Sequence, residues 1–333
     1  MSKRLTKVEN STVVSAAYDC SGAGGRKLVR LDNGWLCCAV INGTIDWRVY
    51  VSKNDGKSWS HAVTWLTAIT INIALASYKN TLYLFCTGSA NAYFCKVDLR
   101  TVSWPWSVTG VVNPDIGQTA IGIGCSITAD KNGVLHAAWC SKNSTYPDAF
   151  NIKYNKSING GASWIGATQV TGCGTGCDLQ RPCIVLRKDN NPIIFADYAQ
   201  SNYKAIIYAY YTGLVWEATS HFVYGYSGNT YEQDSPCAIT DKNGAIHVVW
   251  HGKDSVNTGV LNVRYSKSVD NGANWSPAIK LTSGNSYHQA FPTISVDKYN
   301  RLCVLWYGAI ATYPSIWQIR KLIFNGVWGG ITE

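Results

Sequence analysis

The sequence predicts an all-β chain, a six-bladed β-propeller of four-stranded antiparallel blades. Three observations predict it across 333 residues: a recurring eight-residue hairpin, a polar turn on the same beat, and no amphipathic helical periodicity. The hairpin is clearest in Ser52-Lys-Asn-Asp-Gly-Lys-Ser-Trp59, Ser157-Ile-Asn-Gly-Gly-Ala-Ser-Trp164 and Ser268-Val-Asp-Asn-Gly-Ala-Asn-Trp275. The Asp or Asn accepts hydrogen bonds from nearby backbone N–H groups, the Gly takes positive φ, and the Trp folds back as an apolar plug.

Faded copies fill the gaps. Val97-Asp-Leu-Arg-Thr-Val-Ser-Trp104 keeps the Ser-Trp ending, Ala209-Tyr-Tyr-Thr-Gly-Leu-Val-Trp216 keeps Gly and Trp, and Phe324-Asn-Gly-Val-Trp328 is a shortened version. The six tryptophans are spaced by 45, 60, 52, 59 and 53 residues, a period that points to stacked repeats. Between them lie Asp32-Asn-Gly34, Tyr78-Lys-Asn80, Asp130-Lys-Asn-Gly133, Asp189-Asn-Asn191, Asp241-Lys-Asn-Gly244 and Asp297-Lys-Tyr-Asn300, each flanked by short apolar runs as hairpin turns are.

Each unit therefore reads as strand A, polar turn, strand B, loop, strand C, Trp hairpin, strand D. In unit five the strands fall at 237–240, 245–250, 260–266 and 278–281. Four strands in about 50 residues is the size of a propeller blade. The repeat fills the chain, so 1–333 is expected to form a single propeller domain. Little sequence follows Trp328, so residues 4–8 or 12–17 are expected to pair with the last blade and close the ring.

The hairpin resembles the Asp box (BNR repeat) of the sialidase superfamily, whose members share a six-bladed propeller. The resemblance implies that the boxes are structural and lie opposite the ligand face. Sialidase chemistry would further need three arginines on a substrate carboxylate, a Tyr–Glu pair as nucleophile and an Asp as acid/base. That set does not emerge. No Arg-Ile-Pro-like string is present, and Arg48 and Arg264 each stand four residues before a box Ser, where the third unit has Lys153. The catalytic residues stay unassigned.

Charge and cysteines bound the remaining classes. The net charge is +9 with basic residues scattered, so no nucleic-acid module is expected, and the charge serves either solubility or the attraction of an acidic glycan. No apolar stretch is long enough to span a membrane as a helix. The first residues, Met-Ser-Lys-Arg-Leu-Thr-Lys, lack a signal-peptide core. Synthesis in the cytoplasm is expected, with release by lysis or incorporation in a phage-like particle. Eight of the twelve cysteines then read as reduced core residues, Cys125, Cys183 and Cys237 in strand A and Cys37, Cys38, Cys86, Cys140 and Cys303 in strand B. Cys173 and Cys177 fall in a loop, as a surface disulfide or a free pair. No metal or cofactor set is legible.

Turns and Trp hairpins share one face, so the D–A loops (172–181, 226–234, 283–289) and B–C loops (141–148, 198–202, 251–258, 307–314) share the other. Aligning strand B as Leu135…Trp139-Cys140, Ile246…Trp250-His251, Leu302…Trp306-Tyr307 and Ile193…Asp197-Tyr198 puts Asp197 where three units have Trp. Asp197 is either a carboxylate in the central depression or a solvated loop residue. His251, Tyr307 and Tyr198 follow it as groups able to stack on or hydrogen-bond a sugar. His136 and His247, repeat-equivalent to Tyr83 and Cys303, read as packed structural residues. A Gln recurs in Gln180-Arg-Pro182, Gln233-Asp-Ser-Pro236 and Gln289-Ala-Phe-Pro292. Its neighbours Asp178, Arg181, Glu232, Asp234, Tyr287 and His288 complete the ligand-binding candidates.

Three functions fit these residues. The leading expectation is a lectin-like propeller for an acidic cell-surface glycan. The alternatives are a hydrolase or lyase using paired acids among Asp148, Asp178, Asp197, Glu232 and Asp234, and a protein-interaction platform.

Overall fold

The computed structural model describes residues 26–42, 46–66, 70–88, 91–98, 118–200, 203–217, 221–225, 231–282, 286–311 and 313–329. Among them every regular element is a strand, and the strands form six small antiparallel sheets in chain order. Blade 1 holds β1 (Leu28–Arg30), β2 (Leu36–Asn42), β3 (Asp46–Ser52) and β4 (Ser60–Leu66), and blade 2 holds β5 (Thr70–Tyr78), β6 (Thr81–Gly88) and β7 (Ala92–Asp98). Blade 3 holds β8 (Gln118–Ala129), β9 (Leu135–Asn143), β10 (Asn151–Ser157) and β11 (Thr168–Gln169). Blade 4 holds β12 (Cys177–Leu186), β13 (Pro192–Gln200) and β14 (Tyr203–Tyr211), with β15 (Trp216–Glu217) and β16 (Phe222–Tyr224) both paired to β14. Blade 5 holds β17 (Gln233–Thr240), β18 (Ile246–Gly252), β19 (Asn262–Ser268) and β20 (Ile279–Lys280). Blade 6 holds β21 (Gln289–Val296), β22 (Leu302–Ile310) and β23 (Tyr313–Phe324).

The six-bladed architecture agrees with the repeat, but the four-strand rhythm is not uniform. Blades 2 and 6 show three strands among the described residues, and the short hairpin of blade 6 ends in a single bridge, Phe324 to Trp328. The Trp104 hairpin and the expected closure through residues 4–8 or 12–17 lie outside the described residues.

The hairpins work as their composition implies. In the three full boxes the Ser Oγ accepts from the Gly N–H (Gly56 2.8 Å, Gly161 2.8 Å, Gly272 2.9 Å). The Asn or Asp side-chain Oδ1 accepts from the backbone N–H four residues on (Ser58, Ser163 and Asn274, each 2.9 Å). In the second and third of these boxes the Trp packs on the preceding blade. Trp164 meets Phe94 edge-on at 5.3 Å, and Trp275 meets Phe195 at 5.4 Å. Blade 4 departs from the expected alignment: Tyr211, not Ala209, stands in the box-Ser position, and a tight turn from Thr212 to Val215 replaces the full box.

Burial follows the same logic. Five apolar clusters fill the junctions between blades 1 and 2, 2 and 3, 3 and 4, 4 and 5, and 5 and 6, so each of these cores is shared. The cysteines pack as small apolar residues. Burial pushes the Cys37 and Cys95 thiols up to about 12 and Cys125 up to about 11, which leaves them protonated and inert. Cys183 and Cys237 are repeat-equivalent, but Cys125 sits one residue earlier, opposite Trp139, where Ser126 takes the equivalent place. Cys173 and Cys177 form a disulfide.

Below, the polar turns join neighbouring blades. Asp130 Oδ1 accepts from the Asn132 and Val134 N–H groups, both at 2.8 Å, and Asn190 of the next blade donates to its Oδ2 at 2.7 Å. Asp241 repeats this with Asn243, Ala245 and, from blade 6, Asn300.

Candidate functional site

On the opposite face, the innermost strand of blade 2 breaks register between Thr70 and Asn72, and those of blades 3 to 6 break in a further, equivalent place. The latter shifts fall between Ile121 and Cys125, Gln180 and Cys183, Asp234 and Cys237, and Ala290 and Thr293. Each of these four bulges contains one residue in the left-handed region: Gly124 (φ 94), Arg181 (φ 51), Ser235 (φ 59) and Phe291 (φ 52). A bulge re-aims a side chain, and propeller symmetry brings the four to neighbouring positions around the axis. A Cβ on Gly124 would sit 2.6 Å from the Arg181 Cα, so these backbones touch.

Arg181 is the centre of the site. Its Nη1 contacts Asp197 Oδ2 at 3.1 Å and Asp234 Oδ2 at 2.8 Å. Ser235 donates its hydroxyl hydrogen to Asp234 Oδ1 at 2.6 Å. Asp197 is 7 % exposed, and its Oδ1 is buried without a hydrogen-bond partner. Burial, reinforced by the Asp234 charge and opposed by Arg181, pushes the Asp197 carboxyl up to about 8. Asp197 therefore enters neutral solution with a proton to give. On blade 5, the Glu232 carboxylate holds Lys253 Nζ at 2.9 Å and lies 3.9 Å from His251 Nε2.

His251 is not the exposed sugar contact expected from the sequence. Its ring is buried, its Nδ1 accepts from the Phe291 N–H at 3.2 Å, and desolvation lowers its pKa so that it stays neutral. Its role is to hold the neighbouring bulge. Tyr198 lies at the margin, edge-on to Phe222 at 6.3 Å with its hydroxyl bonded to Gln200. Tyr307 is exposed on blade 6. His288 Nδ1 accepts from the Leu261 N–H at 3.1 Å and its ring stacks parallel to Trp317, while the Tyr287 carbonyl accepts from Gln289. Asp178 caps the Phe150 N–H at 2.9 Å, and Asp148 is exposed on a loop. The structure brings Arg181, Asp197, Asp234, Glu232 and His251 together, with His288 close enough to act on His251, while Tyr198 packs against Phe222.

The strand-B alignment of blade 4 needs correction by one residue. Arg187 N–H bonds the Asn191 carbonyl as Asp130 bonds Val134 and Asp241 bonds Ala245, so Pro192, not Ile193, matches Leu135 and Ile246. Asp197 then matches Cys140, His251 and Tyr307, and Ala196 takes the Trp position. In blades 3, 5 and 6 that Trp donates its Nε1–H to a glutamine: Trp139 to Gln118 (3.0 Å), Trp250 to Gln233 (2.9 Å), Trp306 to Gln289 (2.7 Å). Gln233 and Gln289 are thus structural, each also donating to carbonyls on both sides. A cation opposes each Trp, Lys153, Arg264 and Arg320 in turn. Blade 4 replaces the whole polar set with Leu179, Ala196 and Ile207, all buried. Gln180 is not equivalent to the other two glutamines, because it pairs with Asp197 where Asp234 pairs with His251.

A second acid supports the rim. Asp254 binds Arg264 Nη2 at 2.5 Å and Lys280 Nζ at 2.9 Å, and these donors hold its carboxyl well below the usual range. Arg264 is buried and lies over the Tyr224 ring at 5.0 Å, so it anchors the blade 5 B–C loop. Sequence reasoning missed Ser235, Lys253, Asp254 and Phe291. Aligning the recurrent Arg181-Pro182, Ser235-Pro236 and Phe291-Pro292 pairs by their prolines would have found two of them. Among the described residues no group of three or more His, Cys, Asp or Glu is arranged to hold a metal, and no helix is long and apolar enough to cross a membrane.

No protein-family model and no curated protein matches the chain. Solved structures do. A protein of unknown function from Dyadobacter fermentans superposes with TM-score 0.62 at 14% identity, over 92% of this chain and 96% of that one. A GH93 α-L-arabinofuranosidase of Fusarium graminearum, in complex with arabinobiose, gives 0.60 at 13%, over 93% and 94%. A PL25 ulvan lyase gives 0.57 at 10%, over 92% of each chain. At such identities the likeness establishes the fold, that of six-bladed propellers which include glycoside hydrolases and a polysaccharide lyase.

Proposed function

We propose that the protein acts on a glycan at the Arg181 cluster, as a glycoside hydrolase with Asp197 as proton donor and Asp234 as the partner carboxylate. The observation that carries this reading is the inequality of the pair. One carboxyl is buried and keeps its proton to about pH 8, while its neighbour is more exposed and braced by a serine hydroxyl. Environments that separate two nearby carboxyls supply an acid and an anion at one pH. Both carboxylates share one guanidinium nitrogen, so their bonded oxygens lie within roughly 6 Å, near the spacing of retaining glycosidases. Asp197 would protonate the departing glycosidic oxygen as its bond to the anomeric carbon breaks, Asp234 would face the positive charge that develops there, and a water would add to the anomeric carbon and return its proton to Asp197. Arg181, with its remaining N–H donors uncommitted to protein groups among the described residues, suits a substrate carboxylate, which makes an acidic glycan the fitting substrate.

The neighbouring folds agree with glycan processing and favour this reading over the lectin expected first. The sialidase assignment keeps only the hairpins in its support. A binding-only reading retains one observation in its favour: the two acids could serve solely to orient Arg181 as an anion clamp. Reducing-end release from acidic and neutral polysaccharides, with absorbance of unsaturated uronides followed in parallel, separates the cases. Asp197→Asn is expected to lower turnover by about 10²–10⁴-fold at unchanged folding. Glycan binding without any turnover by the wild type would establish the lectin instead, and unsaturated products would establish a lyase.

A further inference from the structure

The four inner-strand bulges do not use the same residue type, and the difference carries information. Blade 3 has Gly124, the residue that adopts positive φ without steric cost. Blades 4, 5 and 6 place Arg181, Ser235 and Phe291 in the same left-handed backbone, each followed by a proline. A bulky residue at positive φ is uncommon, and strain of this kind persists where a side chain is needed for function. Packing does not require these side chains. One position hosts a cation, a hydroxyl, an aromatic ring and a hydrogen atom, which no single core pocket accommodates.

Phe291 is the one with no part in the polar cluster. It is 39 % exposed, on a face otherwise lined by Arg181, Asp234 and Glu232. Its ring meets the His251 imidazole edge-on at 5.2 Å and 70°, and its backbone N–H is fixed by the same imidazole at 3.2 Å. The ring is therefore held in place from beneath and open above. His251, neutral and buried, serves as its support.

We infer that the two bulges whose side chains reach the surface, Arg181 and Phe291, are ligand-reading positions of the propeller and that Phe291 is a stacking platform for the apolar C–H face of a sugar ring. This rests on the glycan reading above and adds to it a division of labour. Arg181 takes the acidic substituent, and Phe291 takes the hydrophobic face of a ring in the same ligand. Aromatic faces suit this task because they offer flat apolar area without losing much side-chain freedom. Tyr307, exposed next to this strand opposite Ala290, extends the aromatic surface outward along blade 6.

The test uses the full chain on an array of printed neutral and uronic-acid oligosaccharides from one to six units long. Phe291→Gly relieves the backbone while deleting the platform, and Phe291→Trp keeps a platform. Expected are a thermal midpoint for Phe291→Gly close to wild type, a tenfold or greater loss of its array binding, and binding by Phe291→Trp within a few-fold of wild type. Unchanged binding by Phe291→Gly overturns the inference while leaving the glycan reading intact. A collapse of thermal stability in both variants also overturns it, because the ring would then be a packing element. Capture of no printed glycan by the wild type refutes the glycan reading itself, and the inference with it.

Discussion

Replacing Asp197 by Asn tests the central electrostatic claim through stability alone. In the native chain Asp197 keeps its proton to about pH 8, whereas an unfolded Asp releases it near 3.8. Between these values the native state binds one more proton than the unfolded state, so stability falls as pH rises. The slope is ~1.4 kcal/mol per pH unit for one group. From about pH 5 to about pH 8 the loss is on the order of 4 kcal/mol, with the opposing pull of Arg181 already included in the Asp197 value. Asn is isosteric, its side-chain oxygen still accepts from Arg181, and it does not titrate. Urea midpoints measured for both proteins across this range isolate the residue, since every other titrating group is common to them. The wild-type midpoint should fall relative to the variant by about 1 M, taking an m-value near 3 kcal/mol/M. Parallel curves would mean that Asp197 is ionised and simply paired with Arg181, and the proton-donor assignment would fail with it.

Two further changes probe the scaffold. Gly252→Ala would put a methyl 2.1 Å from Gln233 Oε1, forcing that glutamine off Trp250 and two carbonyls. A loss of about 2–4 kcal/mol in thermal or urea unfolding is expected, and a smaller one would show that the glutamine relocates freely. Asp254→Ala strands Arg264 in a buried position beside Tyr224, which should cost about 3–5 kcal/mol and expose loop 253–259 to limited proteolysis.

The ring was written plainly in the hairpins because each box residue acts locally: the Ser, the Asp or Asn and the Gly bond within eight residues, whatever surrounds them. The face opposite the hairpins followed from topology, and the structure places Arg181, Asp197, Asp234 and Glu232 near one another there. What failed were inferences that needed register. Asp189-Asn-Asn191 looks like the other turns, yet the residue in the Asp130 position is Arg187, and Asp189 instead caps Asn191 within the turn. The glutamines misled for a similar reason: Gln180 stands two residues before its proline and Gln233 and Gln289 three, a shift that exchanges the two sides of a strand. Burial was illegible too. Nothing local distinguishes His251, sealed under Phe291, from an imidazole open to ligand.

The ladder of turns on the underside has a bearing on how the chain comes together as it is made. Asp130 receives its last donor from Asn190, and Asp241 from Asn300, partners 60 and 59 residues downstream. At typical synthesis speeds of about 5–20 residues per second, each turn waits only seconds for the blade that completes it. Growth can thus advance from the ribosome one sheet at a time, every new arrival locking the corner left open by its predecessor.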